Sequence, residues 1–107
     1  MIHIVYHRKY HRVTAQGHAQ SGEPGHDLVC ASATILLYTL ADRVLNMAES
    51  NQVRAPKVKM DSGDAEISCN PNQRLTSTAT LIFDSICAGF QLLAADFPEN
   101  ISFEIHQ

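Results

Sequence analysis

Ile2, Ile4 and Tyr6 alternate with His3, Val5 and His7, the two-residue period of a strand with one buried face. Residues 8–12 are polar and turn-like, and Val13 to Ala19 returns as a second strand, so the chain opens with a hairpin. Gln20-Ser21-Gly22-Glu23-Pro24-Gly25-His26 then reads as a loop, with two glycines and a proline in seven residues. From here the period changes. Val29, Ala33, Leu36, Leu40, Val44 and Met47 are spaced by 4, 3, 4, 4 and 3, which traces one face of a helix ending near Ser50. Thr39, Asp42, Asn46 and Glu49 mark its wetter face, and Asp27, just ahead of the run, is a good N-cap.

Residues 53–60 and 65–69 read as two short strands, joined through the turn chemistry of Asp61-Ser62-Gly63-Asp64. Asn70-Pro71-Asn72 opens a second helix. Leu75, Ala79, Ile82, Ile86, Phe90, Leu93 and Phe97 keep the helical spacing until Pro98 stops it. Ile101, Phe103 and Ile105 alternate with Ser102, Glu104 and His106 in a last strand. The predicted order is β-β-α-β-β-α-β: a two-layer α+β fold with two helices packed on one face of a largely antiparallel five-stranded sheet. The other sheet face is left to water or a partner.

At 107 residues the chain is expected to form a single domain over 1–107, long enough to bury a core without metals or disulfides. Apolar residues make up 45%, which excludes a disordered chain. Charged residues make up only 18%, a shortfall that hints at buried subunit surface. Eight basic residues against eleven acidic ones give a net charge of −3, which disfavours nucleic-acid binding as the main function. The charge is uneven, however. Arg8, Lys9 and Arg12 lie in residues 1–22 without any acid, either a solvated edge or a contact surface for RNA or an acidic partner. Three widely spaced cysteines, Cys30, Cys69 and Cys87, do not form a disulfide framework or a Cys-x-x-Cys zinc site. The N-terminus has no signal-peptide pattern, and the nearly apolar run from Leu28 to Ala41, 14 residues, is too short to span a bilayer. A cytoplasmic protein without membrane contact is expected.

The chemistry concentrates around the loop. His18 ends the second strand and Cys30 lies at the start of the first helix, so thiol and imidazole flank the same flexible segment. Helix N-termini and a neighbouring histidine both favour a thiolate. Such a pair suits a cysteine hydrolase, with first-turn N–H groups as an oxyanion hole. A cysteine in an apolar helix also serves as a small buried hydrophobe, and Cys69 and Cys87 read as core thiols of that kind. His18, His26 and Cys30 match no strong metal-ligand spacing, so no metal or cofactor is expected. Asp27 has two available roles, capping the helix or orienting His18. Its carboxylate would oppose a thiolate beside it, which argues for the cap.

Gly17-His18-Ala19, five residues, then Gly25-x-Asp27-Leu28-Val29-Cys30-Ala31 resembles the signature of the ribosomal-processing cysteine proteases of the Prp family. The resemblance covers nearly the whole chain, including Leu92 to Pro98 and the strand after it. It implies a catalytic cysteine at Cys30, a catalytic histidine at His18 and a supporting acid at Asp27. Where the family favours a serine four residues after the cysteine, this chain has Thr34, which keeps the hydroxyl. The loop holding Gly22 and Gly25 corresponds to a flexible segment that closes over the peptide, with Gly25 a candidate hinge, and here it lacks the family's aromatic residue. Family members are homodimeric cytoplasmic enzymes that remove an N-terminal extension from a large-subunit ribosomal protein, after an aromatic-rich stretch. The competing expectation is a non-enzymatic ribosome-associated binding module, with the basic hairpin on RNA and Cys30 structural.

Overall fold

The computed structural model describes residues 1–18 and 26–107. β1 (Ile2–His7) and β2 (Arg12–Gln16) form the opening hairpin around a 3-10 turn at Arg8–Tyr10. α1 (His26–Glu49), β3 (Val53–Asp61), β4 (Asp64–Pro71), α2 (Thr76–Asp96) and β5 (Ile101–His106) follow. The sheet order is β3-β4-β2-β1-β5. Three of its pairings are antiparallel, and β5 joins the edge of β1 in parallel, so the sheet is mixed. The β-β-α-β-β-α-β order and two-layer α+β architecture read from the sequence are those observed.

The alternating positions do what their period requires. Ile2, Ile4 and Tyr6, Val13 and Ala15, Ala65, Ile67 and Cys69, and Ile101 are all buried. α1 covers them with Val29, Ala33, Leu37, Leu40, Ala41, Val44 and Met47, and α2 with Ala79, Phe83, Cys87 and Phe90. The stripe expected on α2 holds at Ala79 and Phe90 and is displaced by one residue between them. Phe83 and Cys87 reach the core, whereas Ile82, Ile86, Leu93 and Phe97 are only partly buried. An α2 face apolar across more than one stripe leaves the choice to packing, and Phe83 is drawn in by stacking on Tyr6 at 6.1 Å.

Three boundaries differ from expectation. β2 ends at Gln16 rather than running to Ala19, because Gly17 turns the chain with φ +94° and donates its N–H to the Gly63 carbonyl at 3.0 Å. Ala19 itself lies outside the described residues. α1 starts at His26, so Asp27 stands inside the first turn instead of at the cap. First-turn N–H groups lack intrahelical acceptors wherever a helix begins, so starting two residues earlier leaves the number of such groups unchanged. Asn70 and Pro71 finish β4, pairing with Arg54 and Val53, rather than opening α2. A proline disfavours helical geometry in the residue before it and is tolerated at a strand end. Finally, both helices exceed the apolar run read from the sequence. By length and composition alone, Leu28–Glu49 and Gln73–Asp96 would suffice to cross a membrane. Each instead lays its buried face on the sheet.

The hairpin is pinned to α2 by polar contacts. Tyr6 donates its hydroxyl to Asp84 at 2.7 Å, and Arg8 donates twice to the same carboxylate, at 3.1 Å each. His11, buried in left-handed geometry at the turn, shares a hydrogen bond with the Thr80 hydroxyl at 2.8 Å and sets its ring edge on Phe83. Burial, and then the Arg8 guanidinium, hold His11 below its ordinary value, while Asp84 opposes them. His7 is lowered too, by burial first and then by Arg12. As pH falls through about 6.5 the unfolded chain therefore takes up protons that the folded one resists. This part of the stability is complete above that pH and declines below it. The urea midpoint should fall between pH 7.5 and 5, and His11→Gln should flatten that slope. An unchanged slope in the variant would remove His11 from the account.

Candidate active site

The strand ending at Gln16 delivers His18 to one rim of a cavity, and α1 delivers Cys30 to another. The cavity measures about 390 Å³, and its third wall is the turn between β3 and β4. Ile2, Ala15, Ala33, Leu37 and Met60 line its apolar part, and Thr34, Tyr38, Asp61, Ser62 and Asp64 add polar groups. Imidazole, thiol, hydroxyls and an apolar floor thus face one space large enough for several side chains of a peptide.

Cys30 is the fifth residue of α1, two residues further in than the first-turn position the sequence suggested, and it is half-buried. Cα–Cβ bonds lean toward a helix N-terminus, so its sulfur still inclines toward the turn whose N–H groups lack intrahelical partners. Thr34 follows one turn later on the same wall, exposed, with Tyr38 a turn beyond it. The i, i+4, i+8 spacing of Cys30, Thr34 and Tyr38 made Tyr38 findable, although sequence reasoning missed it.

His18 is exposed, and its ring lies against Gly63 in the β3–β4 turn. Its carbonyl accepts a hydrogen bond from the Met1 nitrogen at 2.7 Å. Sequence reasoning missed Met60, Asp61, Ser62, Gly63 and Asp64 as well. They reach the site only because β4 pairs with β2 in the register that sets Asp64 opposite Gln16. The Asp64 carboxylate also accepts from Lys59 at 2.6 Å.

The other cysteines behave as core thiols. Burial pushes Cys69 up to about 11, and burial together with the Asp84 charge pushes Cys87 up to about 12. Such thiols are poor nucleophiles at neutral pH. Among the described residues, Cys30 is the cysteine that shares a cavity with a histidine. The side-chain roles of His26 and Asp27, and the closing loop with Gly22 and Gly25, lie outside the described residues. Of the basic hairpin residues, Arg8 is engaged by Asp84, which leaves less charge for an RNA surface.

The arrangement is matched among known proteins. A family model described as cysteine protease Prp matches residues 1–102. The ribosomal processing cysteine protease Prp of Staphylococcus aureus is 26% identical over 89 residues, 83% of this chain and 80% of that protein. The crystal structure of the S. aureus enzyme with a substrate peptide superposes with a TM-score of 0.69 at 25% identity, covering 98% of this chain and 97% of that one. The same enzyme with a covalently linked product peptide gives a TM-score of 0.69 at 26% identity, with the same coverage of both chains. Fold and family together define a cysteine protease. The chain belongs to the Prp family. That membership overturns the alternative of a non-enzymatic binding module.

Proposed function

We propose that this protease is an endopeptidase that trims the N-terminal extension of a large-subunit ribosomal protein, with Cys30 as nucleophile and His18 as general base and acid. The observation carrying the catalytic assignment is the single cavity lined by both side chains. The peptide bound to the S. aureus relative, and that relative's name, support the substrate class.

His18 takes the thiol proton, and the Cys30 sulfur attacks the scissile carbonyl carbon. The resulting oxyanion is held by backbone N–H groups at the start of α1, which also contribute the positive end of the helix dipole. Collapse breaks the C–N bond, and the His18 imidazolium gives its proton to the departing amine. Water, deprotonated by His18, then hydrolyses the thioester and restores the thiol. We assign Asp27 the supporting role of stabilising the start of α1 through its negative charge. The Thr34 hydroxyl stands one turn beyond Cys30 on the same cavity wall, and we assign it a supporting hydrogen-bonding role. The setting we propose is the cytoplasm, where the three free cysteines stay reduced.

The test is a synthetic extension peptide with its aromatic-rich stretch, followed by mass spectrometry. One cut after that stretch, absent from a peptide with the aromatics replaced by Ala, is expected. Equal cutting of both peptides, or of neither, would contradict the substrate assignment.

We also propose a homodimer. The open sheet face is mostly polar, with His3, Thr14, Gln16, Glu66 and Ser68 around a single Val5, so it is not the surface that favours association. Most of the exposed large apolar side chains lie on the helices instead: Leu28, Ile35, Tyr38 and Leu45 on α1, with Leu81 and Leu92 on α2. Light scattering at micromolar concentration should give about twice the 11.8 kDa chain mass. A monomer at all accessible concentrations would reject the dimer.

A further inference from the structure

The His18 imidazole lies against Gly63, far away in sequence. Gly63 occupies the two-residue turn between β3 and β4 with φ +75°, a conformation that glycine adopts readily. A Cβ built there would stand 2.8 Å from His18 Cε1 and 3.1 Å from Cδ2, and closer still to Nε2. The ring therefore occupies the space that any side chain at this position would need. The same residue also holds the backbone, since its carbonyl accepts the Gly17 N–H at 3.0 Å, immediately before His18. Gly17 itself, at φ +94°, has no room for a Cβ against the Met1 carbonyl.

We infer that Gly63 is a positioning residue for the general base: the bare α-carbon of the β3–β4 turn is the seat on which the His18 imidazole rests. A hairpin that contributes no reacting group thereby fixes the geometry between imidazole and thiol. The inference rests on the assignment of His18 as base, and its physical content, a ring on a glycine, is measurable without any activity. Displacing a catalytic group by about 1 Å can cost on the order of 10²-fold in rate.

The first measurement needs no variant. In the Cys30→Ser protein, nuclear Overhauser contacts between the Gly63 α-protons and the His18 ring protons are expected. Their absence, with both spin systems assigned, would overturn the inference even if the cleavage reading stands. The second measurement uses Gly63→Asn. Asn tolerates positive φ, so the turn is expected to form and the thermal midpoint to stay close to wild type. Its side chain would evict the ring. His18 ring resonances should shift, kcat should fall about tenfold or more with little change in KM, and Cys30 alkylation at pH 7 should slow. Lys59→Ala removes the hairpin's ion pair with Asp64 without touching the ring, and it should keep wild-type kcat. A folded Gly63→Asn protein with wild-type ring resonances and kcat would refute the seat. Loss of rate in both Gly63→Asn and Lys59→Ala would reduce Gly63 to part of the hairpin's general integrity. Should wild type and His18→Ala cleave equally, the function reading fails, and the ring contacts still decide whether the seat exists.

Discussion

Cys30→Ala is expected to leave a folded protein that cleaves no peptide. Cys30 is half-buried and packs against the core from one side, so the substitution removes one sulfur atom and opens no sealed cavity. The stability change should stay within about 1 kcal/mol. The rate change is of another order, because Cys30 is the one thiol among the described residues lining the cavity. A loss of at least about 10⁴-fold in kcat is expected, the scale seen when a covalent nucleophile is deleted. Cys69→Ala and Cys87→Ala should show the reverse pattern, since both thiols are buried in the core. Their activity should persist while the thermal midpoint falls. Cleavage by Cys30→Ala near the wild-type rate, measured beside its unfolding curve, would remove the nucleophile assignment.

His18→Ala is expected to lower kcat by about 10²-fold or more, because both the attack and the departure of the amine lose their proton carrier. The ring is exposed and rests on the β3–β4 turn, so its loss should hardly disturb the fold. The thiol also loses its partner, and alkylation of Cys30 by iodoacetamide at pH 7 should slow with it. The informative comparison is between the two readouts. If cleavage falls while alkylation is unchanged, His18 acts on substrate alone and the pair does not exist. If both hold at wild-type values, His18 is a bystander at the rim.

Much of this was legible in the sequence because it depends on local periods. The alternation of Ile2, Ile4 and Tyr6, and the spacing of Val29, Ala33, Leu36, Leu40, Val44 and Met47, state which face is buried, and those faces are buried except at Leu36, which is only partly buried while Leu37 takes the core place. His18 and Cys30 were legible as candidates because they flank one short segment, and both line the same cavity. The burial of Phe83 and Cys87 in preference to Ile82 and Ile86 was not legible, because several helical stripes of α2 are apolar and only contact with Tyr6 and the sheet chooses between them. The third wall of the cavity was hidden for a different reason. Gly63 and its neighbours reach His18 through the register of β4 on β2, a non-local pairing that no local spacing encodes. Asp84 was hidden likewise, since its two partners, Tyr6 and Arg8, lie at the other end of the chain.

The central claim is a covalent bond between Cys30 and the carbonyl carbon of the substrate, and trapping that bond tests it most directly. The wild-type protein is mixed with an extension peptide activated as an ester at the scissile position, quenched in acid within milliseconds, and weighed intact. The account gives an added mass equal to the acyl portion of the peptide, mapped after digestion to the segment containing Cys30 and absent from Cys30→Ala. An adduct on Cys69, Cys87 or a hydroxyl side chain, or rapid turnover with no adduct at any quench time while Cys30→Ala turns over equally well, would contradict it.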